Sequence, residues 1–493
     1  MQIGFDNDKY IQLQAEHIRQ RIDQFGGKLY LEFGGKLFDD YHASRVLPGF
    51  EPDSKIRMLQ SMTDEVEIVI AINANDIEKS KVRGDLGITY DEDVLRLMDI
   101  FRSMGFMVGS VVITRYENQP DADAFRKRLT DMGITSYLHY SIPGYPYDID
   151  GIVSEEGYGK NDYIRTSRPL VVVTAPGPGS GKMATCLSQI YHEYQHGIVA
   201  GYAKFETFPI WNLALNHPVN IAYEAATADL GDDNIIDPFH LEAYGKTTVN
   251  YNRDVEIFPV LRSMMERIAG ESPYKSPTDM GVNMAGYAIV DDEACREASN
   301  NEIVRRYFSA AVEQKRTGVE DCGLNKIEML MNKAGITANL SPARSAALLK
   351  AETTGKPAGA MQLPDGKVVT GKTGNLLGAA SALLMNALKG VSGVDDDVDV
   401  ISDDVLEPIC HLKTEHLGNR NPRLHSNETL LALTISSSTN PLAELLIDNA
   451  DKLRGCDAYF SVIISSTDEK LYKTLGINVC CEPKYEQHRY YHK

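Results

Sequence analysis

Short apolar runs alternate with amphipathic stretches in the first two hundred residues, and this alternation limits the fold more than any other feature. Residues 66–72 and Leu170–Thr174 are rich in β-branched side chains, whereas residues 91–104 and 121–132 have apolar side chains at helical spacing. Strands that alternate with helices predict a mainly parallel sheet with helices on both faces. We therefore predict an N-terminal α/β domain over residues 1–217.

The most specific motif lies where the strand Leu170–Thr174 ends. Residues 170–182 read LVVVTAPGPGSGK, so an apolar strand runs into a glycine-rich loop, a lysine and then a helix. Glycines let backbone N–H groups approach phosphate oxygens, and the helix N-terminus and the lysine neutralise the phosphate charge. The segment 170–197 resembles the phosphate loop of adenylate-kinase-like P-loop proteins. The predicted phosphate-binding or nucleotide-binding residues are Gly177, Gly179, Ser180, Gly181, Lys182 and Thr185.

Two positions depart from the phosphate-loop pattern. Pro176 stands where the motif has its first glycine, and Met183 stands where it has the Ser or Thr that binds Mg²⁺. Mg²⁺ is compatible with the motif, but the sequence identifies no acidic ligand for it. We predict binding of ATP or another small phosphorylated ligand, with ATP-dependent phosphoryl transfer as the reaction if the protein is an enzyme. The alternatives are a non-catalytic ligand-binding or assembly protein, and a glycine-rich turn that binds nothing.

A second motif, HEYQH, lies at the far end of the predicted helix. On one helical face His192 and His196 could bind zinc, with Glu193 as general base and Glu224 as a third ligand. A zinc metallopeptidase is therefore an alternative function. Lys182 and His192 are about 15 Å apart along one helix, so the two motifs describe separate sites. The other interpretation is a polar helix end before Gly197, and we expect no bound zinc.

Charge and composition exclude several classes of partner. The formal net charge is −19, which argues against nucleic acid and anionic membranes as partners. The seven cysteines form no CxxC pair, and the N-terminus is no secretory signal, so we expect a cytoplasmic protein. The most apolar stretch, 376–388, is too short to span a bilayer. The sequence leaves open whether the chain is a monomer or a homo-oligomer.

The pattern changes twice along the rest of the chain. Residues 218–355 show helical periodicity without strand-like runs, which predicts a helical middle domain. Residues 356–493 open with two β-rich runs around Pro364-Asp365-Gly366, a turn signal, and then predict an α/β domain. The segment 366–373 matches G-x-x-x-x-G-K-T, but a phosphate loop has its strand before the first glycine, so we predict a hairpin there.

Longer segments resemble a known family. These are AGYAKFETFPIWNL at 200–213, AYEAATADL at 222–230 and NPRLHSNETLLAL at 421–433. They are similar to a bacterial family of uncharacterised proteins built on a domain of unknown function, whose members are sometimes labelled ATP-dependent zinc proteases. The resemblance covers nearly the whole chain. It implies an α/β N-terminal region, a helical middle and a C-terminal α/β domain.

The C-terminal region also resembles the cytidine-deaminase fold. The segment AGAMQLPDGKVVTG at 358–371 precedes a predicted helix, as in that fold, which implies a three-layer α/β domain. Deaminases hold zinc with His-x-Glu and Pro-Cys-x-x-Cys. Here Gly-Ala-Ala at residues 378–380 stands where His-x-Glu is expected. Cys480 and Cys481 are adjacent and do not have the spacing of Cys-x-x-Cys, so the zinc ligands of deaminases are absent. His425 and Glu428 are either a polar cluster in the domain cleft or a helix cap.

Overall fold

The computed structural model describes residues 3–35, 37–38, 40–84, 86–319 and 323–486. These residues form two compact units. The first unit comprises residues 2–224 and 232–299, and the second comprises residues 225–231 and 300–493, each within the described ranges. No helix of the described ranges is long and apolar enough to cross a membrane.

A seven-stranded sheet, in which all neighbouring strands are parallel, forms the centre of the first unit. The strands of this unit are β1 (Leu29–Phe33), β2 (Val66–Asn73), β3 (Val82–Arg83), β4 (Ile88–Thr89), β5 (Met107–Tyr116), β6 (Ser136–Tyr140), β7 (Leu170–Thr174), β8 (Gly201–Phe205), β9 (Asn234–Ile236), β10 (Val249–Tyr251) and β11 (Gly281–Val282). The order in the sheet is β11-β8-β1-β7-β2-β5-β6, while β3–β4 and β9–β10 are separate antiparallel pairs.

The strands β2 and β7 are the most deeply buried part of the sheet. Every residue of both strands is buried, as expected for parallel strands covered on both faces. The chain runs from β2 outward to β5 and β6, then returns to β7 and continues in the opposite direction to β8 and β11. The strand order therefore reverses between β7 and β2. In such sheets the crevice beyond the carboxyl ends of the strands at this point is the usual ligand site.

Helices cover this sheet and border the crevice. They are α1 (Asn7–Gln24), α2 (Tyr41–Val46), α3 (Ser54–Gln60), α4 (Ala74–Glu78), α5 (Tyr90–Ser103), α6 (Pro120–Asp131), α7 (Ile149–Ile152), α8 (Lys182–Gln195), α9 (Pro218–Ala226), α10 (Pro238–Tyr244), α11 (Asn252–Ala269) and α12 (Pro277–Met280). The predicted α/β class with a mainly parallel sheet is confirmed, and β7 has the bounds predicted from the sequence.

The prediction that residues 218–355 contain no strands is wrong. The strands β9, β10 and β11 lie there, and β11 joins the large sheet beside β8. These strands have two or three residues, too few for a periodic pattern, and their pairing depends on partners distant in sequence. The division at 217/218 and 355/356 stays a prediction, because compactness alone does not show which segments fold independently.

The second unit has its own four-stranded sheet. Its elements, together with the helix that leads into it, are α13 (Asp292–Thr317), α14 (Leu324–Ala334), α15 (Pro342–Thr354), β12 (Ala358–Gln362), β13 (Val368–Lys372), α16 (Ala379–Ser392), α17 (Asp403–His411), α18 (Ser426–Ser436), α19 (Pro441–Asp448), β14 (Asp457–Phe460), α20 (Ser466–Thr474) and β15 (Asn478–Cys481). The order is β13-β12-β14-β15, with β12 antiparallel to both neighbours and β14 parallel to β15.

Helices cover both faces of this second sheet. The first four residues of β12 are all buried, and consecutive strand residues face opposite sides, so neither face is open. On one side α16 packs directly on the sheet, since a Cβ on Gly371 would lie 2.2 Å from the backbone nitrogen of Leu383. The three-layer arrangement is as predicted. Gly366 is the hairpin turn with φ +86°, so the segment 366–373 is a hairpin and no phosphate loop.

Candidate functional site

A left-handed turn connects β7 to α8. Gly179 and Gly181 have φ values of +75° and +82°, a conformation that residues with a Cβ avoid. Gly181 is the residue before the helix, and Lys182 is its first residue. The structure therefore has the predicted order of strand, glycine loop and helix, with Lys182 in the first helical turn beyond a central strand.

Side chains from the ends of β2 and β5 hold the carbonyl groups of this loop. The Thr114 hydroxyl donates to the Ser180 carbonyl at 2.7 Å, and the Asn73 amide donates to the Gly179 carbonyl at 3.2 Å. The Ser180 hydroxyl donates to the Gly177 carbonyl at 2.6 Å. The carbonyl oxygens are thus turned toward the sheet, and the loop has one fixed orientation.

The N–H groups of the same loop are left available. Those of Gly179, Gly181 and Lys182 have no acceptor among the described residues, and the first bond of the helix runs from the Thr185 N–H to the Gly181 carbonyl at 2.9 Å. A row of unpaired N–H groups at a helix N-terminus attracts anions through both hydrogen bonds and the helix dipole. Phosphate is the anion that such loops bind in proteins.

The glycines of the loop have different surroundings. A Cβ on Gly179 would meet no atom within 4 Å, so this part of the loop faces open space. A Cβ on Gly177 would lie 2.4 Å from the Tyr90 hydroxyl, so Gly177 is needed for packing. A ligand oxygen in this open space could accept a hydrogen bond from the Gly179 N–H.

A cavity of about 570 Å³ opens beside the second half of the loop. Ser180, Lys182 and Thr185 line it, together with Glu32 and Arg115. Thr185 is fully buried, and its hydroxyl has no hydrogen-bond partner in the described part of the chain. A buried hydroxyl normally has a hydrogen-bond partner, so this one is an exception among the polar groups of the lining residues.

Polar groups of neighbouring strands form the wall of this cavity. The Tyr202 hydroxyl donates to Glu32 Oε2 at 2.7 Å, and Glu32 Oε1 has no partner among the described residues. His139 also lines the cavity, and burial lowers its pKa to about 3, so its imidazole is neutral. His139 Nε2 lies 3.1 Å from the amide nitrogen of Gln189 and 3.3 Å from the carbonyl oxygen of Asp162.

A second cavity, of about 470 Å³, borders the first half of the loop. It is lined by residues 175–178 and again by Lys182. Arg83 and Arg96 also line it, and both donate to the fully buried carboxylate of Asp93, at 2.8 and 2.6 Å. Lys182 therefore borders two cavities.

The HEYQH segment lies at the C-terminal end of α8, where His192 and Glu193 are buried and His196 is exposed. The hydroxyls of Tyr30 and Tyr163 donate to the two oxygens of Glu193, at 2.6 and 3.0 Å. The Nδ1 atom of His196 lies 2.7 Å from the carbonyl oxygen of His192, and Gly197 follows with φ +77°. Burial lowers the pKa of His192. Glu193 and His196 thus have the contacts of a polar helix end, the other interpretation of the motif, while His192 Nε2 is buried without a partner among the described residues.

The zinc site of the peptidase alternative is not assembled. Within the described ranges no group of three or more His, Cys, Asp or Glu side chains is placed to hold a metal ion. Glu224 lies in α9, and both oxygens of Glu193 are occupied by tyrosine hydroxyls. The five-residue motif HEYQH does not show where a third zinc ligand lies. It also does not predict the two tyrosines that donate to Glu193.

His425 and Glu428 cap the helix α18. Glu428 Oε2 accepts from the His425 backbone N–H and from Lys413 Nζ, both at 2.7 Å, in a capping box. His425 Nδ1 lies 3.0 Å from Asp468 Oδ2 and 3.2 Å from Ser465 Oγ. A nucleophilic triad needs the acid and the hydroxyl on different ring nitrogens. This cluster therefore has the contacts of a cap and lacks those of a triad.

Sequence reasoning missed four residues of the site: Glu32, Asn73, Thr114 and Arg115. Each is polar and lies at or near the carboxyl end of an otherwise apolar strand of the large sheet. Polar residues at these ends are a signal that could have been used, because parallel strands bring them to one edge of the sheet.

Comparison with known families supports the resemblance seen in the sequence. The model described as "Domain of unknown function DUF1846, N-terminal" matches residues 3–335, and "Domain of unknown function DUF1846, C-terminal" matches residues 339–491. The chain belongs to the DUF1846 family. The predicted family resemblance is confirmed.

Curated relatives match over their whole length. A UPF0371 protein of Streptococcus thermophilus is 58% identical over 490 residues, 99% of each chain. A UPF0371 protein of Streptococcus pyogenes is 57% identical over 491 residues, 100% of this chain and 99% of its own. One of Streptococcus pneumoniae is 58% identical over 490 residues, again 99% of each. These names carry no activity, so function must be argued from the site.

Proposed function

We propose that this protein binds a nucleotide or another phosphorylated small molecule at the loop of residues 177–182. The observation that carries the proposal is that the N–H groups of Gly179, Gly181 and Lys182 have no acceptor among the described residues, and that these three residues line a cavity. Independent support comes from Thr185, a residue of the same cavity lining, whose fully buried hydroxyl has no partner among the described residues. The lysine adds a full positive charge to the helix dipole.

The chemistry of the loop suits a phosphate group better than a neutral ligand. Three N–H donors and an ammonium group match the several acceptor oxygens of a phosphate dianion. The location supports the same class, because the loop lies where the strand order reverses, beyond the carboxyl ends of β2 and β7.

ATP-dependent phosphoryl transfer is the second candidate function. The observation that favours it is that Lys182 borders both cavities, so two ligands could meet at this ammonium group. Transfer of phosphate would also require Mg²⁺, which usually takes one or two carboxylates and the phosphates themselves. Glu32 and Glu117 are the carboxylates that line the larger cavity. Non-catalytic binding of the same ligand is the alternative.

The proposal is tested by titrating the whole protein with inorganic phosphate and, separately, with ATP in the presence and absence of Mg²⁺. Isothermal titration calorimetry should show saturable binding of inorganic phosphate that a phosphorylated ligand displaces. Release of ADP would support phosphoryl transfer, whereas binding without turnover would support non-catalytic ligand binding. No binding of phosphate and ATP would refute the proposal.

A further inference from the structure

We propose that the larger cavity takes a small phosphomonoester that carries hydroxyl groups and no second anionic group, with Arg115 on its phosphate and Glu32 on its hydroxyls. This inference rests on the proposed phosphate-binding function and narrows it to phosphorylated polyols and sugars. It depends on two residues that belong to no motif, Arg115 and Glu32, and on their presence in the lining of one cavity.

The backbone of Arg115 is strained at the rim of the cavity. Its φ is +52°, in the left-handed region, and arginine has no short polar side chain to stabilise that conformation. The pairing of β5 with β6 shifts register between Ile113 and Tyr116, so Arg115 lies in an irregular segment of the strand. Such irregularities often turn a side chain toward a functional site, and strain of this kind persists where it serves one.

Arg115 is exposed and is one of the residues that line the cavity. The residue before it, Thr114, donates to the Ser180 carbonyl, so Arg115 leaves the strand beside the phosphate-binding turn. Tyr145 lines the same cavity, and burial raises its pKa to about 12. Arg115 and Lys182 place two cations at one cavity.

Glu32 adds a carboxylate to the lining of the same cavity. It pairs in register with Val173 of β7, which puts it about 5 Å from the strand that leads into the loop. Lys204, its register partner on β8, is held by Asp254 and by Glu206, the latter at 2.9 Å. Glu32 Oε2 already accepts from Tyr202, which fixes the carboxylate and leaves Oε1 for a ligand.

This distribution of charge selects the chemistry of the ligand. A carboxylate accepts hydrogen bonds from hydroxyl groups and repels a second phosphate or carboxylate. The cations and free N–H groups hold one phosphate at the loop, and the rest of the ligand then meets Glu32. A ligand whose remaining part carries hydroxyl groups fits this position, whereas a ligand whose remaining part carries an acidic group does not.

A matched pair of ligands tests the assignment of Glu32. Glycerol 3-phosphate and 3-phosphoglycerate are of similar size, but the second has a carboxylate where the first has a hydroxymethyl group. We expect the wild-type protein to bind glycerol 3-phosphate at least about tenfold more tightly, the effect of one hydrogen bond to a charged group. Glu32→Gln should bring the two dissociation constants close together, because the amide no longer repels the carboxylate.

Two glycine variants test the assignment of Arg115. Arg115→Gly removes the guanidinium and also the strain, so inorganic phosphate should bind about tenfold more weakly while the melting temperature stays equal or rises. Ser80→Gly is the matched control, since Ser80 has φ +45° but does not line the cavity. It should keep the affinity for phosphate unchanged, with an equal or higher melting temperature.

The possible failures can be told apart. If the wild-type protein does not bind inorganic phosphate, the proposed function itself is wrong. If phosphate binds but 3-phosphoglycerate or ATP binds more tightly than glycerol 3-phosphate, the narrower inference is wrong. Unchanged phosphate affinity in Arg115→Gly, or an unchanged ratio of the matched ligands in Glu32→Gln, would overturn it as well.

Discussion

The buried hydroxyl of Thr185 has no hydrogen-bond partner among the described residues, and such a group costs stability. Thr185→Val keeps the shape of the side chain and removes the hydroxyl. We expect the free energy of unfolding of the ligand-free protein to rise by about 1 kcal/mol in urea denaturation. The affinity for inorganic phosphate should fall in calorimetry. A variant that loses stability, or one that binds phosphate as the wild type does, would show that this hydroxyl does not serve a ligand.

The neutral imidazole of His139 makes the stability of the protein depend on pH. Burial lowers its pKa from 6.5 to about 3, so below pH 6.5 the unfolded chain binds a proton that the folded chain does not. Stability is therefore complete above pH 6.5 and is lost as the pH falls toward 3. Between pH 6.5 and pH 5 this residue should account for about 2 kcal/mol.

His139→Gln is the variant that isolates this effect. Urea denaturation at both pH values should give a smaller difference in unfolding free energy for the variant than for the wild type. The buried histidines other than His139 titrate in both proteins and therefore cancel in the comparison. Equal pH dependence in the two proteins would mean that His139 is protonated, or exposed to water, in the folded state.

The sequence revealed some of these residues and concealed others for a physical reason. Lys182 and the glycines before it are local, since strand, loop and helix follow one another in the chain. Glu32 and Arg115 belong to the cavity only because β1 and β5 lie in the same sheet as β7. Which strands are neighbours in a sheet depends on the strand order, and the periodicity of apolar residues in the sequence does not predict that order.

The helix α8 has a different role at each end. Its first turn presents free N–H groups, and its last turns present Glu193, which is 1% exposed and accepts from two tyrosine hydroxyls. Glu193→Ala would leave both hydroxyls without their acceptor, so the free energy of unfolding should fall by about 2–4 kcal/mol. Glu193→Gln keeps a carbonyl acceptor and should lose less.

Metal analysis of the same proteins separates this hydrogen-bonding role from a peptidase. We expect less than one zinc per chain in wild-type protein purified without added metal, and the same in both Glu193 variants. One zinc per chain that disappears in His192→Ala would contradict the account of α8 and would favour the metallopeptidase.

Helices and strands with a strong periodic pattern of apolar residues were predicted well. Short strands, and strands whose partners are distant in sequence, were not. The strand β7 has the bounds predicted from the sequence. The strand β8 was missed because its polar and small residues, such as Lys204 and Gly201, give no clear alternation. Its place beside β1 is fixed by long-range pairing.

At the scale of the whole molecule, the second unit has a core that includes part of α13. Phe308 packs against Tyr459 with ring centroids 5.1 Å apart, and Arg305 pairs with Asp457 at 2.9 Å. A fragment of residues 300–493 should therefore fold, whereas a fragment of residues 339–493 lacks these contacts. We expect cooperative urea unfolding for the longer fragment and a loss of about 3–5 kcal/mol in the shorter one.

Circular dichroism of the two fragments checks this prediction. Equal stability would show that α13 is not part of the folding unit. A stably folded fragment of residues 218–355 would instead support the helical middle domain predicted from the sequence.

Calorimetric titration of Lys182→Ala with inorganic phosphate, together with its melting temperature, tests the central claim most directly. Removal of one charge-assisted contact should weaken binding by about 1.5–3 kcal/mol, or roughly ten- to more than a hundredfold. The melting temperature of the ligand-free variant should remain close to that of the wild type, because Lys182 borders two cavities and is not part of the buried core. A variant that melts earlier but binds phosphate unchanged would contradict the account and would make residues 177–182 a packing turn.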